Sequence, residues 1–164
     1  MNQKRISRFL IVAGVLAGIG ILAAAGVYAP VMAGECRDLY REDIPGIDGL
    51  YWLGLIGVWI TSLLFLLALG EYLRVSARIG KDRSFCTENV KSLSRIALLL
   101  WADGALWILA IFAPGLLFRV DIGPICVVFL LISMANAALG LLAWALGRLL
   151  ARAVELKEEN DLTV

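Results

Sequence analysis

Histidine is absent from this sequence of 164 residues. Histidine titrates near neutral pH, is the commonest metal ligand in proteins and holds the iron in many haem sites. Its absence therefore argues against a catalytic triad, a zinc site and a haem site. We expect a protein that is not an enzyme and that needs no cofactor or metal.

Cysteine is scarce, with single residues at Cys36, Cys86 and Cys126. No two of them form a C-x-x-C pair, so a dithiol redox role is not expected. The topology derived below places Cys36 and Cys126 near the outer face of a membrane and Cys86 inside. A disulfide between Cys36 and Cys126, or ordinary unpaired cysteines, would both be compatible with that placement.

Charged residues are also few and nearly balanced, with 15 Lys and Arg against 14 Asp and Glu. A net charge of +1 gives no reason to expect direct nucleic-acid binding. Hydrophobic residues make up 61 % of the chain, whereas soluble domains contain about 45–50 %. The excess is concentrated in long runs, which predicts that the chain lies in a lipid bilayer.

Four of these runs are long enough to cross a bilayer, which takes about 20 residues. We place the spans at about residues 9–31, 49–73, 93–113 and 122–147. A link over residues 74–92 joins the second span to the third, and a tail over residues 148–164 follows the fourth. The Pro114-Gly115 pair is expected to end the third span. The prediction is one all-α domain, an integral membrane four-helix bundle.

The basic residues indicate the orientation of the spans. Three Lys or Arg residues precede the first span, six lie between Arg74 and Arg95, and three lie in the tail. The outer loops hold three, at Arg37, Arg41 and Arg119. Because basic residues near spans stay in the cytoplasm, both termini are predicted to be cytoplasmic (N-in/C-in).

The first span allows two interpretations. Val31-Met32-Ala33 resembles a signal-peptide cleavage site, but the uncharged run is longer than the core of a signal peptide, about 7–15 residues. We therefore expect an uncleaved span. Within it, Gly14 and Gly18 form a G-x-x-x-G pair. Small residues at this spacing let two helices pack closely and could support a homo-oligomer, or could simply reflect the abundance of glycine in spans.

Polar side chains recur at a similar depth in three spans. This intramembrane polar cluster consists of Thr61, Ser62, Asp103, Ser133 and Asn136. A charged Asp at the centre of a span costs about 3 kcal/mol on insertion scales, so Asp103 should face the bundle interior or a partner. A protonated Asp103 could donate a hydrogen bond to Asn136. The cluster is predicted either to join the helices or to serve as a proton or ion relay.

The face predicted to be cytoplasmic combines the basic link with an acidic tail. Its candidate docking residues are Arg74, Arg78, Lys81, Arg83, Phe85, Glu88, Asn89, Glu158, Glu159, Asn160 and Asp161. The basic and acidic groups could pair with each other, or the link could lie against anionic lipids. They could also form a docking surface for a soluble protein.

Two short motifs on this face carry a family resemblance. The segment Ser84-Phe85-Cys86-Thr87-Glu88-Asn89-Val90 resembles the F-x-x-E-N motif of small bacterial four-helix membrane proteins called domain of unknown function 2975. The ending Glu158-Glu159-Asn160-Asp161-Leu162-Thr163-Val164 resembles the C-terminus of that family. Members are often encoded beside a helix-turn-helix regulator, so the resemblance implies a cytoplasmic partner of that kind.

Two functions from different classes remain. The first is a non-enzymatic accessory or regulatory protein that docks a cytoplasmic partner through the link and the tail. The second is a small transporter or immunity-type protein that uses the intramembrane Asp103. The first function agrees better with the family resemblance. A single intramembrane acid without a basic partner gives little support for a transport pathway.

Overall fold

The computed structural model describes residues 3–81, 83–118 and 123–162, in which helix is the only regular secondary structure. The elements are α1 (Gln3–Ala23), a π-helical segment (Ala24–Tyr28), α2 (Ala29–Leu39), α3 (Ile47–Ile79), α4 (Thr87–Phe118) and α5 (Gly123–Leu162). The first three form one continuous helical run. Four runs are long and apolar enough to cross a membrane, which confirms the predicted all-α fold.

The helices extend beyond the apolar spans predicted from the sequence. α3 continues through Glu71 to Ile79, and α4 begins at Thr87. α4 continues past Pro114-Gly115 to Phe118, whereas the part of it that could span a membrane ends at Phe112. The end of the third span at Pro114-Gly115 stays a prediction. Spanning helices tolerate proline where other groups satisfy the backbone that it releases. The predicted boundary residues Ile122, Thr163 and Val164 lie outside the described residues.

The spanning helices pack as a row in chain order. Within the described residues, α1 and α2 pack on α3, α3 packs on α4, and α4 packs on α5. The described part of α5 approaches neither α1 nor α3. The most extensive of these interfaces joins α4 to α5. The row therefore has two outer helices, α1 and α5, that are separated by the middle pair.

Glycines bring α4 and α5 close together in an antiparallel register. A Cβ on Gly140 would clash with the indole ring of Trp101. Nearer the end of α5, a Cβ on Gly147 would lie 3.4 Å from the Cβ of Leu93. A larger residue at Gly140 would therefore hinder this close approach, whereas a Cβ at Gly147 would make only ordinary van der Waals contact.

The Gly14 and Gly18 pair faces α3 of the same chain. A Cβ on Gly14 would lie 2.7 Å from Cδ2 of Leu73, and one on Gly18 would lie 3.1 Å from Cδ2 of Leu69. The small-residue pair thus serves the packing of α1 on α3. A homo-oligomer built on the same two glycines would have to displace α3.

The start of α1 is fastened to the end of α3. Ser7 Oγ donates a 2.7 Å hydrogen bond to the carbonyl oxygen of Ser76. Gly80 ends α3 with a helical φ of −65°, and a Cβ there would clash with Ser7. Gly80 is therefore required for this close approach and not for a left-handed turn. We call this end of the molecule, where α1 begins, α5 ends and residues 80–86 connect α3 to α4, the link end.

Candidate functional site

A buried carboxylate holds two arginines at the link end. Glu71 Oε1 accepts hydrogen bonds from Arg74 Nη1 at 2.6 Å and from Arg95 Nη1 at 3.1 Å. Glu71 Oε2 accepts from Ser92 Oγ at 2.8 Å. The carboxylate is buried, whereas both arginine side chains are largely exposed. The buried carboxylate of Glu71 thus orients the side chain of Arg74, a predicted docking residue.

Sequence reasoning did not single out Glu71, although a signal was present. It is an isolated acid directly after a long uncharged run, and it lies three residues before Arg74 on the same helix. Side chains at this spacing are neighbours on a helix surface. The contribution of Arg95 depends on how α3 and α4 pair, and the sequence did not specify that pairing.

The guanidinium group of Arg78 fastens α3 to the start of α4. Its Nη1 lies 3.2 Å from Asn89 Oδ1, 3.1 Å from Ser92 Oγ and 3.3 Å from the carbonyl oxygen of Glu88. All three acceptors belong to the first two turns of α4. This predicted docking residue therefore positions α4 relative to α3.

Asn89 shapes the link from within. Its side chain is only 1 % exposed, and Nδ2 donates to the carbonyl oxygens of Arg83 at 3.2 Å and Ser84 at 2.9 Å. The backbone N–H of Arg83 donates to the carbonyl oxygen of Arg78. These hydrogen bonds connect the link to both α3 and α4. Because Asn89 is buried, it can affect the binding of a partner only by holding the link in its conformation.

The exposed side chains of the link include those of Lys81, Arg83, Phe85 and Glu88. Phe85 is 58 % exposed. Arg83 Nη2 lies 3.8 Å from Glu88 Oε1, close enough for a surface ion pair. An exposed aromatic ring on an ordered polar link provides an apolar contact point outside the membrane-spanning part.

The end of α5 projects beyond the start of α4. Val154 is 6 % exposed, and the antiparallel pairing of Gly147 with Leu93 places it level with the link. Residues 155–162 continue the helix for about 12 Å at 1.5 Å per residue. The exposed residues here include Glu155, Glu158, Glu159 and Asn160. The side chain of Asp161 lies outside the described part of the structure.

Three members of the intramembrane polar cluster join α4 to α5. Asn136 Nδ2 donates to Asp103 Oδ2 at 2.7 Å, and Ser133 Oγ donates to the carbonyl oxygen of Gly104 at 2.9 Å. Trp107 Nε1 also donates to Asp103 Oδ2, at 3.2 Å. Because an indole can only donate, Oδ2 is an acceptor. The expected bond between Asp103 and Asn136 thus forms with the donor and acceptor roles reversed.

The second oxygen of Asp103 has no partner in the part of the chain that the structure describes. Within the described residues, Oδ1 is buried and makes no hydrogen bond. Leaving a buried polar atom unpaired costs free energy, and the cost is larger when the group is charged. Asp103 therefore satisfies one of its oxygens inside the α4–α5 interface and keeps the other buried without a partner among the described residues.

The other two members of the cluster, Thr61 and Ser62, lie on α3. Thr61 Oγ1 donates to the carbonyl oxygen of Val58 on its own helix, at 3.0 Å. Both residues line a cavity of about 510 Å³ that Asp103 and Asn136 also line. The predicted cluster is therefore assembled around one cavity, but its α3 part is not hydrogen-bonded to Asp103.

Neither a metal site nor a disulfide is formed in the described part of the chain. Over residues 3–81, 83–118 and 123–162, no three His, Cys, Asp or Glu side chains are grouped so that they could hold a metal ion. Cys36, Cys86 and Cys126 are unpaired, and Cys36 is exposed. The alternative of a Cys36–Cys126 disulfide is not realised in this structure.

The ordered link contains the F-x-x-E-N motif, and the projecting helix contains most of the C-terminal motif. The family described as Protein of unknown function (DUF2975) matches residues 40–164. The chain belongs to the DUF2975 family. A similar relative is Uncharacterized membrane protein YoaS of Bacillus subtilis (strain 168), which is 32 % identical over 162 residues, covering 95 % of this chain and 96 % of that protein. No solved structure matches the chain.

These comparisons confirm the family resemblance found in the sequence. Together with the four long apolar helices, the relative described as a membrane protein supports a multi-pass membrane protein. This DUF2975 protein thus presents two separate candidate sites. One is the polar surface at the link end, and the other is the cavity beside Asp103.

Proposed function

We propose that this protein is a non-enzymatic accessory protein of the bacterial cytoplasmic membrane that docks a soluble helix-turn-helix regulator at its link end. One observation carries the proposal. An ordered link that exposes Phe85 lies at the level where α5 leaves its partner helix and projects with exposed glutamates. The link and the helix end supply an apolar contact and an acidic contact on the same side of the molecule.

The acidic helix end suits a DNA-binding partner on electrostatic grounds. Glu155, Glu158 and Glu159 are exposed, and their i, i+3, i+4 spacing places them on one helix face. DNA-binding proteins contact phosphates mainly through Lys and Arg. A row of carboxylates would attract that basic surface and compete with DNA for it. Binding would thereby hold the regulator at the membrane and away from its operator.

The link supplies the apolar part of the surface. Aromatic side chains dominate the binding energy of many interfaces, and Phe85 is such a side chain. Since Asn89 and Arg78 already fix the link, docking would order few additional groups. A preorganised surface loses less conformational entropy on binding. Arg83 and Lys81 flank the aromatic ring and could pair with acidic groups on the partner.

The test is a direct binding measurement with a helix-turn-helix regulator of the kind that the family resemblance implies beside the gene. The full-length membrane protein is placed in lipid nanodiscs, and the purified regulator is titrated by biolayer interferometry. We expect saturable binding that Phe85→Ala weakens by about tenfold, equivalent to about 1.4 kcal/mol. Deleting residues 158–164 should weaken it further. The operator DNA of the regulator should compete with the membrane protein.

Matched controls separate docking from general damage. Phe112→Ala removes the same ring from an exposed position in the membrane-spanning part of α4, so it should leave binding unchanged. Reversing the charge of exposed Glu42 and Asp43, in the loop before α3, should also leave it unchanged. The proposal is rejected if the intact protein does not bind the regulator, or if the chain without residues 158–164 binds equally well.

A further inference from the structure

A cavity of about 510 Å³ lies between the two outer helices of the row. One wall is built from the end of α1, the π-helical segment and the start of α2, and the opposite wall from α5, with α3 and α4 between them. It exists because α5 does not reach α1 in the described part of the chain. Its volume falls within the range of about 300–1,000 Å³ found for small-molecule sites.

The α1 wall has an irregular backbone for an identifiable reason. In the π-helical segment the N–H of Ala29 donates to the carbonyl oxygen of Ala24. In the same register the carbonyl of Ala25 would pair with residue 30, but Pro30 has no N–H. Trp59 Nε1 supplies the missing donor at 3.2 Å. Single π turns in α-helices occur frequently at functional sites.

The α4 part of the cavity, between these two walls, carries the incompletely satisfied acid. Asp103 is 3 % exposed; Asn136 and Trp107 donate to its Oδ2, while Oδ1 has no partner among the described residues. Among the described residues, none that lines the cavity is Lys or Arg. A carboxylate in apolar surroundings is stable when a counter-charge or a proton accompanies it. The cavity walls provide no such counter-charge.

The remaining walls suit an organic cation better than a metal ion. The aromatic side chains of Tyr28, Phe65 and Trp107 line the cavity, and the faces of such rings attract ammonium groups. The Trp107 ring is held against Phe129, with their centroids 5.0 Å apart. Most other lining residues are Ala, Val, Ile and Leu. They would contact the apolar body of a ligand, whereas a hard metal ion requires several oxygen ligands.

We propose that this cavity binds a small lipophilic ammonium ion, whose charged group pairs with the Asp103 carboxylate and whose apolar body packs between the π-helical segment and α5. The hydroxyl groups of Thr61 and Ser62, which also line the cavity, could accept a further N–H. The ligand would neutralise a buried carboxylate that is hydrogen-bonded on one side only. The site is remote from the link end, so its test is independent of regulator docking.

The experiment compares three probes on the full-length protein in nanodiscs. Protonated 2-phenylethylamine supplies a charge and N–H donors, 2-phenylethanol is its neutral analogue, and the N,N,N-trimethylated amine keeps the charge without N–H groups. Saturable binding is measured by equilibrium dialysis against empty nanodiscs. We expect the amine to bind at least about tenfold more tightly than the alcohol, a difference of 1.4 kcal/mol. The trimethylated probe should bind more weakly than the amine.

Two variants and a control locate the binding site. Asp103→Asn removes the charge with little change in shape and should abolish selectivity for the amine over the alcohol. Ala24→Trp fills the cavity from the α1 wall and should block binding while Asp103 is intact. Glu42→Gln removes a charge from the exposed loop before α3 and should change nothing. Circular dichroism and size-exclusion chromatography establish that each variant is folded.

Three outcomes overturn the proposal. The first is the absence of saturable amine binding above the empty-nanodisc background. The second is equal binding of amine and alcohol, which would make the site a general apolar crevice. The third is unchanged amine binding by folded Asp103→Asn or Ala24→Trp protein, which would place the bound amine elsewhere.

Discussion

Asn136 donates a 2.7 Å hydrogen bond to Oδ2 of Asp103 and so connects α5 to α4 within the apolar part of both helices. The contact is buried on both sides. The indole N–H of Trp107 donates to the same carboxylate oxygen, Oδ2 of Asp103. The two donors therefore set the orientation of the acid, and Oδ1 is the oxygen that they leave without a partner among the described residues.

Replacing Asn136 with Leu should destabilise the α4–α5 pair by about 1 kcal/mol, the typical value of an interhelical hydrogen bond in a membrane. The loss arises because Asp103 Oδ2 retains only Trp107 as a donor. Thermal unfolding in detergent measures the effect. Leu141→Ala, at an exposed position on α5, is the control and should alter the midpoint less. An unchanged midpoint for Asn136→Leu would mean that the contact adds no stability.

Replacing Glu71 with Ala should release both Arg74 and Arg95 and leave Ser92 without its acceptor. Because the arginines are largely exposed, water screens the ion pairs, and we expect a loss of about 1 kcal/mol. Glu71→Gln should cost less, since an amide oxygen still accepts hydrogen bonds. Denaturant titration gives the comparison, with the exposed Glu42→Ala as control. Equal stability of Glu71→Ala and the unaltered protein would contradict the structural role assigned to this carboxylate.

Replacing Gly80 with Ala should loosen the start of α1, because the added methyl group would clash with Ser7. The matched change is Gly70→Ala on the same helix, where an added Cβ meets nothing within 4 Å. Helix propensity favours Ala over Gly by about 1 kcal/mol, so Gly70→Ala should be neutral or stabilising. Hydrogen exchange of residues 3–10 reports the loosening. Unchanged exchange of residues 3–10 in Gly80→Ala would show that the contact between Ser7 and the end of α3 tolerates the added methyl group.

Replacing Asn89 with Ala should disorder the link, since its amide supports the carbonyl groups of Arg83 and Ser84. Limited trypsin digestion should then cleave after Arg83 at least about tenfold faster, the factor that corresponds to 1.4 kcal/mol of lost local stability. Ser94→Ala, at an exposed position on α4, is the control. Equal cleavage rates would show that the link is held without this side chain.

The predicted orientation can be tested with the native cysteines. Variants that retain only Cys36 or only Cys86 are treated with a membrane-impermeant maleimide. If the basic residues keep the link end in the cytoplasm, Cys36 should react in cells whose cytoplasmic membrane is intact. Cys86 should react only after that membrane is opened. The reverse pattern would place the link end outside and would remove the basis for docking a cytoplasmic regulator.

The sequence predicted the features that depend on position along the chain. The lengths of the apolar runs gave four spanning helices, and the equal depth of Asp103 and Asn136 predicted their contact. A span that is apolar on all sides carries little information about which face meets its neighbour. For that reason the Gly14 and Gly18 pair could not be assigned in advance to α3 or to a second copy.

The features that were missed depend on contacts between distant parts of the chain. Ser7 and Gly80 meet only because α1 returns to the end of α3. The burial of Asn89 follows from the path of the link, which no local pattern specified. The π-helical segment had one local signal, Pro30, but its stabilisation by Trp59 could be seen only after α1 and α3 were placed together.

The row of helices also has a consequence for how the protein is made. Within the described residues, each spanning helix packs only on those that precede or follow it in the chain. When a spanning helix enters the bilayer during synthesis, the helix on which it packs has therefore already been inserted. Its packing does not depend on a helix that is synthesised much later. The ribosome supplies the four segments in the order in which they can assemble, so no late rearrangement is required to complete the fold.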